Sequence, residues 1–502
     1  MKKNVLELRV AGYAHLIKKL NLNVIPHWHT SAVSHTGKHE LKIRMGGKID
    51  EVYRLSYWPG ETIGNHLEFA LKYDGIHLGI LKQVFKKSPQ DVITEYIKSK
   101  PIGKYTRRIW FFYEFLMDLK LPIEDLSSGN YIEALDTVKY YTLAKGNKSK
   151  RHRVINNLLG PKEFCPIIRK TDPLSKMDTT KLKEQCAQIV QAYPPDLLRW
   201  ALNYLYKKET KSSFEIEQIK PKASRTEQFI RVLKLAKKED FCSKDNLISL
   251  QNKIVDPRFK ENHYRKNQNY VGQTVSYQNE IIHFVAPKPK DLPKLMAGLL
   301  ASHQILKEAS IPPIVHAAVI AYGFVFLHPF EDGNGRIHRF LIHNILSLQG
   351  LAPQGLMFPI SARMLKNPAD YDASLEAFSQ PLLDIIEFSL DELGSMEVET
   401  ESAYMYQYMD MTTQVEALYQ FVEQTIEEEL PRELTFLANY DKTKKTIQNI
   451  IDMPDRLIDL FIQLCLQNNG HLSARKKESH FSFLLEKESK AMEQAIKILI
   501  NR

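Results

Sequence analysis

A chain of 502 residues is too long for one ordinary core, so about two to four domains are expected. Its 43% hydrophobic and 25% charged content are those of a soluble globular protein, and no apolar stretch is long enough to span a bilayer. The net charge of +10 is spread along the chain, which favours a solvated basic surface and leaves an anionic ligand open. The four cysteines, Cys165, Cys186, Cys242 and Cys465, form no CxxC pair and read as reduced thiols. After Lys2 and Lys3, Glu7 and Arg9 interrupt any apolar run, so no signal peptide is expected and a cytoplasmic location is the default.

Residues 1–75 are rich in turn formers (Pro26, Gly46, Gly47, Pro59, Gly60) with short β-prone runs such as 52–55. They predict a small mixed α+β piece. His27, His29, His35 and His39 match no standard metal spacing and read as surface histidines. Residues 76–205 predict mainly helix. Ile109, Phe112, Tyr113 and Leu116 recur at i, i+3, i+4 and i+7, a core face. The helices 90–100 and 105–117 follow one another as in a helix-turn-helix, a weak signal of DNA contact. The basic run 148–153 reads as an exposed loop.

Pro194 and Pro195 then break the chain, and Asp196 caps a helix running toward Ser213 and Glu217. Those two are i, i+4 neighbours and point the same way if the helix continues. Helices follow at 226–237, with Phe229, Val232, Leu233 and Ala236 inward, and at 245–255. Residues 270–285 form two β-prone runs around a turn, a hairpin that packs on the helical body or pairs with a bound chain. After a helix at 291–308, residues 314–326 are apolar on nearly every face and therefore a buried helix. Pro329 stops it just after His328. The next helix starts around Gly335. Ile337, Phe340, Leu341, Asn344, Ile345 and Leu348 form its core face, while Arg336, Arg339 and His343 share another. The acidic stretch 392–408 reads as a linker. Amphipathic helices at 413–429, 442–466 and 485–500 follow, in an order compatible with a degenerate winged helix.

The chemistry concentrates in residues 328–339, His-Pro-Phe-Glu-Asp-Gly-Asn-Gly-Arg-Ile-His-Arg. Gly333 and Gly335 allow backbone angles that aim successive amide hydrogens into one concavity at a helix start, where phosphate oxygens fit. Arg336 and Arg339, one turn apart, add fixed positive charge that can bind phosphate bidentately. An acid beside polyphosphate needs a cation between them, so Asp332 makes sense as a Mg2+ ligand. His328, at a rigid helix end, is placed to take a proton from an attacking hydroxyl.

This segment resembles the Fic-domain signature at every position, and the likeness extends to the flanking helices, the hairpin and, more loosely, 200–240. The resemblance implies a mainly α fold: a Fic-type helical core with a β-hairpin flap, flanked by an N-terminal α+β/helical domain and a C-terminal helical domain. The expected division is 1–190, 191–390 (with an inhibitory helix near 205–218 and a flap near 270–285) and 391–502. It also implies transfer of AMP from ATP to a protein hydroxyl, with Mg2+ or Mn2+. By matching position, His328 is the general base and Asp332 the metal ligand. Gly333, Asn334 and Gly335 cradle the phosphates, with Asn334 also contacting them through its side chain. Arg336 holds the β-phosphate and Arg339 the γ-phosphate.

Ser213 and Glu217 match the Ser/Thr-x-x-x-Glu pattern of the family's inhibitory helix, although Gln218 stands where a small residue is usual. In the family this glutamate pairs with the second motif arginine, here Arg339, and blocks the γ-phosphate position. The expected partner is a protein presented to the flap, with self-modification and nucleic acid left open and no membrane. Two alternatives stay open. One is removal of AMP by the same site. The other is a DNA- or protein-binding regulator whose flanking domains, including the basic helix 105–117, carry the function.

Overall fold

The computed structural model describes residues 8–34, 39–276, 279–353 and 356–500. His35 and the hairpin tip at 277–278 lie outside them. Packing divides the chain into two units. One comprises residues 1–179, 213–351 and 364–420; the other comprises 180–212, 352–363 and 421–502. This differs from three consecutive domains. The reason is that N-terminal residues pack with the 213–420 segments as well as among themselves. Cys165 N–H, for instance, donates to Gln407 O at 2.7 Å, and Met411 N–H to Ile167 O at 2.9 Å.

In the first unit the expected α+β piece is a four-stranded sheet in the order Leu8–Ala11, His29–Ser34, Ile49–Arg54, Glu40–Ile43, with one parallel pair at its centre. Ala11, Val33, Tyr53 and Phe69 form its small core. His39 is half-exposed, as the sequence suggested, but two of the histidines are not surface groups. His27 and His29 are buried, His27 Nε2 donates to Asp74 O at 2.8 Å, and His29 and His39 flank Glu51 at 3.0 and 2.6 Å. The carboxyl of Asp74, held by Ser31 and the Tyr13 amide, is pushed up to about 7 by burial.

The helix Lys104–Met117 buries the expected stripe and also Trp110 and Phe111. Its arginines do not face outward. Arg107 donates to Asn130 O and Arg108 to Glu133 O, so this helix offers no cationic face of its own to DNA. Within the basic run 148–153, Lys148 and Lys150 are exposed as expected, but Arg151 and His152 turn inward, because Glu114 accepts from Arg151 Nη2 at 2.9 Å and from His152 Nε2 at 3.0 Å. Residues 118–171 hold no helix, against the mainly helical expectation. The acidic stretch 392–408 is not a linker. It forms a ribbon (Phe388–Leu390 with Met396–Val398) and the helix Ala403–Gln407, because Met396, Val398 and the run of Tyr404, Met405, Tyr406, Tyr408 and Met409 bury.

The second unit closes around Ile447, Ile458, Phe461, Cys465, Phe481 and Ile496. Its described residues after 421 are helices and turns, with no hairpin to serve as the wing of a winged helix. No described helix is long and apolar enough to cross a membrane.

Buried neutral histidines make the sheet module acid-sensitive. Burial, then the charge of neighbouring histidines, lowers His27 well below 6.5 and His66, stacked on His15 at 3.6 Å, to about 3. Both stay neutral when folded but charge when unfolded below about pH 6.5, so stability is lost as pH falls from there. The expected slope is up to about 1.4 kcal/mol per pH unit for each histidine. Hydrogen exchange in Ile63–Phe69 between pH 7.5 and 5 should show it, and His66→Phe should remove that residue's share.

Candidate active site

The helix Pro313–Leu327 is buried along its whole length from Ile314 and fixes the start of the motif. A Cβ on Gly323 would lie 2.7 Å from both Phe164 and Leu299, so the helix seats closely on its neighbours. It ends at His328, which takes left-handed angles (φ 48°, ψ 58°) that turn the chain out of the helix before Pro329.

His328 is presented in one tautomer. Its Nδ1 lies 3.2 Å from Val325 O; a carbonyl only accepts, so Nδ1 bears the hydrogen and Nε2 is left as an acceptor. Burial, then the charge of Arg265, lowers its pKa to about 4. The imidazole is therefore neutral near pH 7, the form a general base requires.

Arg265 was not legible in the sequence, since it sits in a loop without periodicity. It is 4% exposed and ties three segments of chain together. Its amide donates to Pro329 O, Nε to His328 O (2.7 Å), Nη1 to Asn267 O (2.7 Å) and Nη2 to Pro287 O (2.6 Å). It thus joins both ends of the hairpin to the histidine loop. The hairpin, Tyr270–Ser276 with Asn279–Val285, is antiparallel with irregular register after Val271 and Thr274, and it exposes Val271 and Ile281.

Between His328 and the next helix the loop is closed by Asn334. Its Oδ1 accepts from Phe330 N–H at 3.1 Å and its Nδ2 donates to Phe330 O at 2.7 Å. The buried amide thus commits one Nδ2 hydrogen and one Oδ1 lone pair to shaping the loop. Gly333 (φ 94°) caps the helix Asn334–Leu348, and a Cβ there would meet Val255 at 2.9 Å. A Cβ on Gly335 would lie 2.5 Å from Glu217 Oε1. The glutamate carboxylate thus rests directly over the helix N-terminus, where an anion is favoured.

Arg336 and Arg339 are 0% and 2% exposed, and Glu217 bridges them. Its Oε2 accepts from Arg336 Nε at 2.8 Å and its Oε1 from Arg339 Nη2 at 2.7 Å. The family pattern pointed to Arg339 alone. The second contact arises because the arginines stand one turn apart with both guanidiniums turned to the same carboxylate. Arg339 also donates to Ser213, through Nε to Oγ (2.9 Å) and Nη2 to the carbonyl (2.6 Å). Burial opposes the Arg339 charge, but Glu217 and Tyr371 outweigh it and raise its pKa. Tyr371, which hydrogen-bonds Arg339, had no signal in the sequence. Arg336 also donates Nη2 to Asp332 Oδ1 (2.5 Å) and Nη1 to Ile254 O (3.1 Å). All nine sequence-selected residues therefore lie in one region, with Asp332 about one-third exposed and already paired to Arg336.

Glu217 is held at a helix end of defined geometry. Ile219 N–H donates to Phe214 O (3.0 Å) and Gln218 N–H to Glu215 O (2.9 Å), the paired bonds of a Schellman cap. Gln218 occupies the left-handed position at φ 56°. That explains why a small residue suits this place: a left-handed residue with a side chain costs about 1 kcal/mol that glycine avoids.

The fold around 328–339 is thus a mainly helical domain whose central loop and helix form an anion site beside a neutral imidazole. Residues 241–346 match the profile described as the Fic/DOC family, so this segment of the chain carries a Fic-type domain. It is 30% identical over 151 residues to "Protein adenylyltransferase fic-1" of Caenorhabditis elegans, covering 30% of this chain and 26% of that one. It is 34% identical over 124 residues to "Protein adenylyltransferase Fic" of Drosophila virilis, covering 24% of this chain and 23% of that one. The match spans about a quarter of the length of these relatives. Among solved structures, a Fic family protein from Desulfovibrio desulfuricans G20 aligns with TM-score 0.35 and 19% identity over 55% of this chain and 80% of that one.

Two outcomes check this geometry. The His328 imidazole should titrate near pH 4 by NMR and stay neutral from pH 6 to 8; a midpoint above 6 would contradict the buried environment described. Gln218→Gly should stabilise the protein by up to about 1 kcal/mol in denaturant unfolding, by relieving the left-handed cap.

Proposed function

We propose that this chain transfers AMP from ATP to a hydroxyl side chain of a protein, and that Glu217 restrains the reaction from within the same chain. The observation that carries the reading is the Glu217 carboxylate lying between two buried guanidiniums and over Gly335. Two buried arginines at a helix N-terminus form a site for a polyanion, and a carboxylate occupying it competes with phosphate for the same donors. The matched relatives are named protein adenylyltransferases, which favours AMP as the group moved.

On this reading Nε2 of His328 takes the proton of the acceptor hydroxyl. The hydroxyl oxygen bonds to the α-phosphorus of ATP, the α–β bridge breaks, and pyrophosphate leaves with the electron pair. Arg336 and Arg339 neutralise the departing phosphates, and the amides opening the helix at Asn334 add donors. Asp332 fits a Mg2+ or Mn2+ site, since such an ion takes one or two carboxylates together with phosphate oxygens and would stabilise charge on the leaving group. Arg336 must release Asp332 for that. The exposed edge at Val271 and Ile281 suits an extended acceptor segment added beside the hairpin.

The test is transfer of label from α-labelled ATP to protein, the chain's own hydroxyls included, with Mg2+ or Mn2+. Glu217→Gly should raise labelling about tenfold or more, and His328→Ala added to it should lower labelling by about 10²-fold or more. Equal labelling by wild type and Glu217→Gly would overturn the restraint, and a label retained from the γ-phosphate would overturn AMP transfer.

A further inference from the structure

Away from that site, the loop between the helices Ala223–Leu235 and Lys244–Ile254 meets the helix Leu292–Glu308. There Asp240, Cys242 and His303 bring a carboxylate oxygen, a thiol sulfur and an imidazole nitrogen within 4.8 Å of one another. It is the one such grouping of three His, Cys, Asp or Glu donors among the described residues. We propose that Asp240, Cys242 and His303 form a zinc site that fastens this loop to the helix.

The local chain is bent to gather these donors. Asp240 Oδ1 accepts from the Cys242 amide at 3.0 Å, which folds the loop so that both side chains reach the same side. Asp240 Oδ2 lies 3.0 Å from His303 Nε2. Cys242 and His303 are 4% and 1% exposed, while Asp240 stays one-quarter exposed and leaves an approach from solvent. The tetrahedral spacing of Zn2+ ligands is about 3.3–3.6 Å, so closing on an ion requires movements on the order of 1 Å. A thiolate, an imidazole and a carboxylate together select Zn2+ over Mg2+ or Ca2+, which prefer oxygen. Three protein ligands leave the fourth position to water.

Behind His303 lies a polar relay that can take up the proton on the ring's other nitrogen. His303 Nδ1 lies 3.1 Å from His316 Nε2, and His316 Nδ1 lies 3.2 Å from Gln349 Nε2. With Zn2+ on His303 Nε2, Nδ1–H donates to His316 and His316 Nδ1–H donates to the turned Gln349 amide. Each ring keeps one proton, and the Cys242 thiol proton leaves to solvent. This relay sets the tautomer and orientation of the ligand ring. Lys307 is the competitor. Its ammonium sits 2.7 Å from Asp240 Oδ2, but at 45% exposure it can swing into water.

The loop is also bound to the motif helix, through Asn344 to Ala236 O, Glu239 O and the Phe241 amide. The zinc would therefore brace the back of the arginine-bearing helix, a role that stands whether or not AMP transfer is the reaction.

The experiment uses the full chain, reduced and stripped of metal, titrated with Co2+ and then Zn2+. Co2+ should give tetrahedral ligand-field bands and a thiolate-to-cobalt band that Zn2+ displaces one for one. Cys242→Ser should abolish the thiolate band, and His303→Gln should weaken Co2+ affinity at least tenfold. Lys307→Ala, a change at a partly exposed side chain, should tighten Zn2+ severalfold, and affinity should rise with pH as the thiol proton is lost. No thiolate band, a band that survives Cys242→Ser, or an affinity indifferent to Lys307→Ala would overturn the site.

Discussion

The structure turns on one carboxylate between two buried guanidiniums. Arg336 and Arg339 are withdrawn from water, and a buried charge without a partner is costly. Asp332 satisfies one edge of Arg336, and Ser213 satisfies two donors of Arg339. Ile254 O takes a further donor of Arg336 and Tyr371 hydrogen-bonds Arg339, while one donor from each arginine goes to Glu217. Removing Glu217 leaves a concentrated positive site above a helix N-terminus, so any state without it calls for another anion. This is why restraint and nucleotide binding, if the proposed reading holds, are two occupancies of one electrostatic requirement.

The loop that precedes these arginines is equally constrained. His328 leaves its helix in a left-handed conformation, and Gly333 enters the next one in another. Asn334 bridges the backbone of Phe330 between them, and Arg265 holds the carbonyls of His328 and Pro329. The imidazole is therefore positioned by backbone ties on both sides, in one tautomer, with its free nitrogen outward. The hairpin shares Arg265 with this loop, so the hairpin and the His328 imidazole are held in one frame.

The sequence reading was strongest where spacing has a local cause. The all-apolar helix ending at His328, the hairpin and the helix after Gly333 lie within a residue or two of their expected limits, because burial period and turn chemistry are local properties. It failed where residues that look solvated are needed inside. Arg107, Arg108 and Arg151 read as surface charge, yet backbone carbonyls and Glu114 draw them in. His27 and His29 read as exposed and line a sheet. The stretch 392–408 looked like an acidic linker because its acids are conspicuous and its interleaved tyrosines and methionines are not.

By itself the sequence determined the chemical kit: an imidazole, an acid, two hinge glycines and two arginines in twelve residues, with each helix and strand that presents them. Resemblance to a family, rather than spacing, singled out Ser213 and Glu217. Only the tertiary structure decided that Glu217 spans both arginines across 119 and 122 positions, that Asn334 closes a loop, and that Arg265 and Tyr371 belong to the site. The physical reason is range. Helix period, caps and turns depend on neighbours a few residues apart. Which carboxylate neutralises a buried guanidinium depends on how distant segments pack, and no local pattern records that.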